Sequence, residues 1–243
     1  MVDKIILHWL DGSRAQRIVW LLNELNVPFE VKPYKRKNFR APRELREVFP
    51  LGRAPIVEIF PDGDETEEPI VLAETGYIIN YLIENYDKEK KLIPTSRKDQ
   101  ELVKYYLYYA EGSLQSILIA LLVNSKVAGA SPFGLKYIAG VVTQAINKGY
   151  YLPELKSNLK FLDDRLSKVE GDYFVGNKLT GADIILSFPL VDNLFSDVTS
   201  TKEFTGLDVV TLYPNIKRWS DKIKLETNRS DALLQVKNLS PNL

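Results

Sequence analysis

The sequence predicts an α/β domain with helices on a small mixed sheet, followed by an all-helical domain. Strand and helix patterns alternate over residues 1–86, whereas after about residue 96 the strand signals vanish and only helical spacing remains. A chain of 243 residues fits one large domain or two modest ones, and 45% hydrophobic residues suffice for a full core. We therefore expect domains at 1–86 and 96–243, joined by a charged linker at 87–95.

The elements predicted for the first domain follow the order β-α-β-α-β-β-α. A turn at Asp11-Gly12-Ser13 separates the first strand from residues that recur at helical spacing. An acidic loop that begins at Pro61-Asp62-Gly63-Asp64 separates the last two strands. The predicted strands are Ile5–Trp9, Phe29–Tyr34, Pro55–Phe60 and Ile70–Ala73, and the predicted helices are Ile18–Leu25, Pro42–Val48 and Ile78–Ile83.

The second domain is predicted to be a helical bundle, because its apolar residues recur at helical spacing throughout. The sequence Thr180-Gly181-Ala182-Asp183 matches an N-terminal capping box, so Thr180 and Asp183 are assigned a structural role. The predicted helices are Leu102–Asn124, Phe133–Asn147, Leu152–Val169, Gly181–Phe195 and Ile216–Leu225.

Composition excludes several classes of site and of protein. Because the chain has no Cys, it has no disulfide, thiolate metal site or cysteine nucleophile. It has a single histidine, His8, so we expect no metal site. A Ser-His-Asp triad can form only through His8. The 32 basic residues balance the 32 acidic ones, so the chain has no net positive charge that would attract nucleic acid. No secretory signal is visible, and the longest apolar run, Ile117–Val123, is far shorter than the roughly 20 residues of a membrane span. We therefore expect a soluble protein.

Local charge is uneven although the total is balanced. Residues 32–53 hold eight basic and two acidic side chains, and residues 58–74 hold seven acidic and no basic ones. Alternation of this kind is typical of a solvated surface. A stripe of tyrosines, Tyr105, Tyr106, Tyr108 and Tyr109, is typical of a core but also suits the wall of an apolar pocket.

Three short motifs follow or precede predicted strands, and each has a structural alternative. Ser13 stands where a helix N-terminus stabilises an anion, although Ser is also a common N-cap. The Ala54-Pro55 peptide can be cis and so let Ala54 pair with an extended peptide, although a trans turn is the ordinary outcome. Glu74 and Thr75 open a helix, where they suit the ammonium and carboxylate of an amino acid, although plain capping explains them as well.

These motifs, in this order, resemble those of the cytosolic glutathione transferases. The segment Pro50-Leu51-Gly52-Arg53-Ala54-Pro55 resembles the family's cis-proline turn, Glu74-Thr75 its Glu-Ser/Thr pair, and Thr180–Asp183 its late capping box. The resemblance covers nearly the whole chain and implies a thioredoxin-like N-terminal domain before the all-helical one. The segments His8–Arg17 and Tyr108–Gln115 are most similar to a fungal subgroup, one yeast member of which is associated with the endoplasmic reticulum.

The resemblance also implies residue roles. Ser13 precedes Arg17 by four residues, as in serine-type members, and is expected to donate a hydrogen bond to the sulfur of glutathione. Ala54, before Pro55, is expected to pair with the cysteinyl backbone. The remaining expected contacts are Glu74 and Thr75 for the γ-glutamyl end and either Arg40 or Arg53 for the glycyl carboxylate.

The resemblance implies a homodimeric, cytoplasmic glutathione transferase with glutathione as co-substrate and the N-terminal domain of one subunit against the helical domain of the other. Peripheral attachment to the endoplasmic reticulum membrane stays open. The thiolate is expected to attack an electrophilic carbon, or the oxygen of a hydroperoxide, in an apolar interdomain pocket walled by Tyr105, Tyr108 and Gln115. The alternatives are a non-catalytic ligand-binding or regulatory member and a glutathione-dependent peroxidase or isomerase, whereas the disulfide-reductase branch is disfavoured because the chain has no Cys.

Overall fold

The first domain is the expected small mixed sheet with helices. The computed structural model describes residues 2–37 and 40–239. The strands lie in the order β2-β1-β3-β4, with β1 and β2 parallel and the other pairs antiparallel. The predicted fold class is confirmed for this domain. Its elements are β1 (Lys4–Leu10), α1 (Gln16–Glu24), β2 (Glu30–Tyr34), α2 (Leu45–Val48), β3 (Ile56–Phe60), β4 (Ile70–Ala73) and α3 (Thr75–Tyr86).

Among its described residues, the second domain contains helices joined by turns and loops, and no strand. The predicted helix Leu102–Asn124 is part of a longer continuous helix, Arg97–Ala130, which includes a π-helical segment. Three helices that apolar spacing did not predict are also present, at Val198–Thr205, Val209–Leu212 and Thr227–Leu239. The elements are α4 (Arg97–Tyr109), the π-helical segment Ala110–Gln115, α5 (Ser116–Ala130), α6 (Lys136–Ile146), α7 (Leu152–Leu166), α8 (Gly181–Ser187), α9 (Val198–Thr205), α10 (Val209–Leu212), α11 (Pro214–Lys224) and α12 (Thr227–Leu239).

Two apolar cores cover the two faces of the sheet. The main core lies against α1 and α3 and continues without a break into the helical domain, where α4, α7, α8 and α11 contribute. A smaller core of Leu10, Leu45 and Ile56 lies on the opposite face, under α2. Because the main core runs through both domains, the predicted boundary between 1–86 and 96–243 stays a prediction.

The capping box at the start of α8 is fully buried. The Asp183 carboxylate accepts hydrogen bonds from the Thr180 backbone N–H at 3.0 Å and hydroxyl at 2.9 Å, from the Phe174 N–H at 2.9 Å and from the Trp219 indole at 3.0 Å. Burial raises the pKa of this carboxyl to about 6, and the hydrogen bonds from Phe174, Trp219 and Thr180 oppose that shift. Asp183 therefore ties α8 to the loop before it and to α11.

The continuous helix Arg97–Ala130, which is 34 residues long, is apolar and long enough to cross a membrane by length and composition alone. This differs from the sequence expectation, which rested on the short apolar run Ile117–Val123. A core helix of a water-soluble protein satisfies the same test, and here Tyr106 and Leu114 are fully buried in the main core. Ile117, Leu118 and Leu121 face the same core, whereas Leu122 and Val123 are more than half exposed.

Candidate functional site

A cleft of about 790 Å³ lies between the two domains. Because β3 runs antiparallel to β1 and β4, the end of β1, the start of β3 and the end of β4 meet at one edge of the sheet. The segments that follow or precede these strands form the first domain's side of the cleft, at Gly12–Arg14, Leu51–Pro55 and Glu74-Thr75. The helical domain contributes Gln115, Ile119, Leu122, Phe188 and Asn193.

Ser13 lies in a tight turn between β1 and α1. Gly12 has φ = +57°, a conformation that glycine adopts without the strain that a side chain would bring. The Ser13 N–H donates to the Leu10 carbonyl at 3.2 Å, and the Ser13 hydroxyl oxygen accepts from the Ala15 N–H at 3.2 Å. Since that bond uses only a lone pair, the hydroxyl proton stays available for donation to a ligand in the cleft. Ser13 is 7% exposed.

The Ala54-Pro55 peptide bond is cis, and both residues line the cleft. Gly52, two residues earlier, is buried with φ = +57°, and a Cβ at this position would lie 2.5 Å from the Arg46 side chain. The turn before β3 therefore requires glycine at position 52 for two reasons, backbone conformation and close packing.

Glu74 and Thr75 lie where β4 passes into α3. Glu74 has φ = +72° and ψ = +118°, a combination that residues with side chains rarely adopt. Its carbonyl accepts the first hydrogen bond of α3, from Ile78 N–H at 2.9 Å, while its side chain is exposed to the cleft. Thr75 is buried at the helix N-terminus. Strained backbone at a concave site is a feature of ligand-binding positions.

Arginines dominate the charge of the cleft. Arg36, Arg40, Arg46 and Arg53 come from the basic segment of the first domain, and Arg14 comes from the turn after Ser13. Glu74 is the one acidic side chain among the described residues that line the cleft. This balance favours ligands with several anionic groups and one cationic group.

A partly buried ion-pair cluster holds the turn of Ser13 against the helical domain. Arg17, which is 1% exposed, donates to Glu111 at 2.7 Å and to the Ile185 carbonyl at 2.5 Å. Arg14 pairs with the second oxygen of Glu111. Burial lowers the pKa of the Arg17 guanidinium, and Glu111 opposes that shift. Glu111 lies in the π-helical segment. Its carboxylate therefore links this segment both to Arg14 in the turn and to Arg17 in α1.

His8 has no place in the cleft. It is buried in β1, with Nε2 at 2.7 Å from Glu58 and Nδ1 at 2.8 Å from the Tyr34 hydroxyl. Burial lowers the pKa of the imidazole although Glu58 opposes the shift. A triad of Ser13 with His8 is therefore not formed. Within residues 2–37 and 40–239, no cluster of three or more His, Asp or Glu side chains could hold a metal ion.

Comparisons with known proteins decide the family. Residues 12–85 match the family model for the glutathione S-transferase N-terminal domain, and residues 138–228 match the model for the C-terminal domain. Glutathione S-transferase 1 of Saccharomyces cerevisiae is 37% identical over 98% of this chain and 97% of its own length. The chain belongs to the glutathione S-transferase family.

Solved structures agree with this membership. A glutathione S-transferase from Actinobacillus pleuropneumoniae is 28% identical, covers 95% of this chain and 92% of its own, and superposes with a TM-score of 0.70. A family member from Pseudomonas fluorescens with two glutathione bound has a TM-score of 0.72 at 22% identity, over 94% of this chain and 92% of its own, and supports the fold.

In this glutathione S-transferase, eight of the ten residues predicted for ligand contact line one cleft: Ser13, Arg40, Arg53, Ala54, Pro55, Glu74, Thr75 and Gln115. Tyr105 and Tyr108 are not among them. Tyr105 stacks on Tyr109 with ring centroids 5.6 Å apart, and Tyr108, 81% exposed, lines a separate groove of about 700 Å³ between α3 and α4. A helix turns by about 100° per residue, so only one of its faces meets the cleft, and the assignment of these two tyrosines to the electrophile pocket stays a prediction.

The helical wall of the glutathione S-transferase cleft consists of Gln115, of residues one and two turns beyond it, and of the segment after α8. Sequence reasoning missed Ile119, Leu122, Phe188 and Asn193. The spacing of Gln115, Ile119 and Leu122, at intervals of four and three, is the helical signal that could have extended the prediction from Gln115. Arg36 and Arg46 were also missed, although both lie in the basic segment.

Proposed function

We propose that this glutathione S-transferase binds glutathione in the interdomain cleft, holds its sulfur as a thiolate with Ser13, and transfers it to hydrophobic electrophiles. The observation that carries the proposal is the convergence, on one cleft, of the Ser13 turn, the cis-Pro55 turn and the Glu74-Thr75 helix start. The glutathione bound to the Pseudomonas relative supports the choice of ligand.

Each part of glutathione has a matching group in the proposed complex. The backbone of Ala54 pairs with the cysteinyl backbone, as an added strand does. The Glu74 carboxylate binds the γ-glutamyl ammonium, and the N-terminus of α3 at Thr75 binds its carboxylate. Arg40 or Arg53 binds the glycyl carboxylate, which a guanidinium fork fits in bidentate fashion.

The chemistry requires a thiolate at neutral pH. A free thiol with a pKa of about 8.5 is mostly protonated at pH 7, and lowering that pKa by two units needs about 2.7 kcal/mol of preferential stabilisation of the anion. A hydrogen bond from the Ser13 hydroxyl to the sulfur supplies about 1.5–3 kcal/mol, and the N-terminus of α1 adds roughly 0.3–1 kcal/mol. These two terms suffice without a permanently charged base.

The second substrate meets the apolar side of the cleft. Ile119, Leu122 and Phe188 give this side a hydrophobic wall, while Gln115 and Asn193, whose amides lie 3.4 Å apart, provide polar contacts. A hydrophobic compound with an electrophilic carbon fits this wall, and an organic hydroperoxide is the second candidate because the same thiolate attacks its oxygen.

A conjugation assay tests the proposal. Purified enzyme with glutathione and a chloronitroarene is expected to form the thioether, and the rate should saturate with glutathione. Arg40→Met and Arg53→Met are measured separately. The variant that lacks the residue that binds the glycyl carboxylate should show a KM for glutathione raised about tenfold. If the enzyme neither conjugates nor binds glutathione, the non-catalytic alternative replaces this proposal.

The proposed assembly is a homodimer that covers the hairpin of α5 and α6. No side chain of α6 is buried, which is unusual for an apolar helix. Between Ser116 and Tyr151 the chain contains three Lys and no Asp or Glu, so this surface carries little charge. Apart from Ile119 and Leu122, which line the cleft, the large apolar side chains that this hairpin exposes are Val123, Phe133, Leu135, Tyr137, Ile138, Val141, Val142, Ile146 and Tyr150.

The proposed location is the cytoplasm. The apolar helix Arg97–Ala130 contributes Tyr106 and Leu114 to the shared core and holds Arg17 through Glu111, contacts that a membrane-spanning position would break. After cell lysis the enzyme is expected in the high-speed supernatant. Recovery in the membrane pellet, with release by high salt or alkaline carbonate, would instead support peripheral attachment.

A further inference from the structure

Arg36 makes a contact with the Ser13 turn that the sequence motifs do not reveal. Its side chain leaves the loop after β2 and donates from Nε to the Asp11 carbonyl at 2.9 Å and from the terminal nitrogen to the Gly12 carbonyl at 3.3 Å. One guanidinium therefore bridges the two peptide units that immediately precede Ser13.

The bridge fixes the orientation of the peptide that carries the Ser13 N–H. In a planar trans peptide the C=O and N–H point in opposite directions, so holding the Gly12 carbonyl toward Arg36 directs the Ser13 N–H toward Leu10. That N–H donates to the Leu10 carbonyl at 3.2 Å, and the Asp11 N–H donates to the Tyr34 carbonyl at 3.3 Å. The remaining freedom of the turn lies at Gly12, the residue type that pivots most easily between φ values of either sign.

We propose that Arg36 is a positioning residue for Ser13: it locks the Gly12 pivot, so that the Ser13 hydroxyl is held where the thiolate of bound glutathione accepts from it. This inference rests on the proposed role of Ser13. The orientation of the hydroxyl matters, because a hydrogen bond weakens steeply once its angle falls below about 120°. A turn that samples several conformations stabilises the thiolate less, although it leaves the cleft open and the other glutathione contacts in place.

Arg36 also lines the cleft, so direct binding of a carboxylate is the competing role. The two roles differ in what they alter. A residue that binds the glycyl carboxylate changes affinity for glutathione equally in its thiol and thiolate forms, whereas a residue that positions Ser13 changes the preference between those forms.

The test compares Arg36→Met with the matched control Arg43→Met, an exposed arginine of the same basic segment that does not line the cleft. The ultraviolet absorbance of thiolate, titrated with pH at saturating glutathione, gives the pKa of the bound thiol. For Arg36→Met we expect this pKa to rise by about 0.5–1 unit, and kcat/KM below that pKa to fall about three- to tenfold with KM for glutathione within about twofold. Arg43→Met should match wild type in the pKa of the bound thiol, in kcat/KM and in KM for glutathione.

A second variant, Arg36→Lys, retains the charge and so covers the case in which Arg36→Met does not fold. A single ammonium lacks the planar fork that spans both carbonyls, so the bound-thiol pKa should rise by a smaller but measurable amount. An unchanged thiol pKa in either folded variant, or a large rise in KM without a pKa change, overturns the positioning role. Ser13→Ala run in parallel separates the two proposals: if it raises the thiol pKa and the Arg36 variants do not, only this inference fails.

Discussion

At the scale of single residues, Ser13 is the side chain whose removal should matter most for catalysis. The substitution Ser13→Ala removes the hydroxyl but keeps the backbone hydrogen bond from the Ser13 N–H to the Leu10 carbonyl and the contacts of Arg36 with the turn, so the fold should be retained. We expect kcat/KM to fall at least tenfold, with the dissociation constant of glutathione changed less than about threefold, because the lost bond is strongest to the charged sulfur. Steady-state kinetics and calorimetry measure the two quantities. Wild-type kcat/KM in the variant would move the role to another donor.

Asp183 is the corresponding residue for stability. Asp183→Ala leaves four buried donors without their acceptor, and we expect the free energy of unfolding in urea to fall by at least about 3 kcal/mol. The remaining folded enzyme should keep its kcat. The matched control Asp164→Ala, whose carboxylate pairs on the surface with Lys160, should leave the urea midpoint unchanged. Full stability combined with lost activity in Asp183→Ala would contradict its structural role.

At the scale of elements, the contact between α1 and the π-helical segment depends on one carboxylate. Glu111→Gln removes the charge that compensates the buried Arg17 guanidinium, and we expect a loss of about 3 kcal/mol or more in the free energy of unfolding. Glu101→Gln, which removes an exposed pair with Lys104 on the same helix, is the matched control and should unfold at the wild-type urea concentration. Equal stability of both variants would mean that the cluster contributes nothing to domain packing.

The sequence predicted elements well where apolar periodicity and turn residues coincide. The strand Ile70–Ala73 was predicted to the residue, because an acidic turn and Glu74 bound a short β-branched run. Helix α9 was missed although its end signals are present: Asp197 caps its N-terminus through Ser200 N–H at 3.0 Å, and Gly206 ends it with φ = +73°. Helix α12 gives only a weak apolar signal: its buried positions Arg229, Ala232 and Val236 follow helical spacing, but one of them is charged, while the apolar Leu234 is 58% exposed. Its packing against α1 is a tertiary contact that local pattern does not encode.

The residues of the candidate site also differ in whether a local sequence pattern reveals them. Ser13, cis-Pro55 and Glu74 belong to turns with short local signatures, so the first domain's side of the cleft was predictable. Phe188 and Asn193 reach the cleft only because α8 packs on α1 and α3, and no local signal distinguishes them from core residues. The tyrosine stripe suited either a core or a pocket wall: Tyr106 and Tyr109 pack in the core, whereas Tyr105 and Tyr108 are exposed outside the residues that line the cleft.

At the scale of the whole molecule, the exposed α5–α6 surface predicts a dimer. Light scattering at micromolar concentration should give about 55 kDa, twice the 27.7 kDa of one chain. The double variant Ile138→Glu with Val142→Glu places charges on two exposed positions one turn apart, and should give a monomer with unchanged helical content. Leu121→Glu, at a position 2% exposed, is the contrast and should unfold the chain. A wild-type mass near 28 kDa would refute the dimer.

The role of Ser13 is tested by titrating the thiol of bound glutathione in the wild type and in Ser13→Ala, with thiolate absorbance followed against pH. In the wild type we expect an apparent pKa about two units below the free value of about 8.5. In Ser13→Ala, at saturating glutathione, the pKa should rise by about one to two units toward the free value, because only the helix N-terminus remains to stabilise the anion. A wild-type pKa equal to that of free glutathione, or a lowered pKa that Ser13→Ala leaves unchanged, would contradict the assignment of Ser13 as the thiolate-stabilising residue.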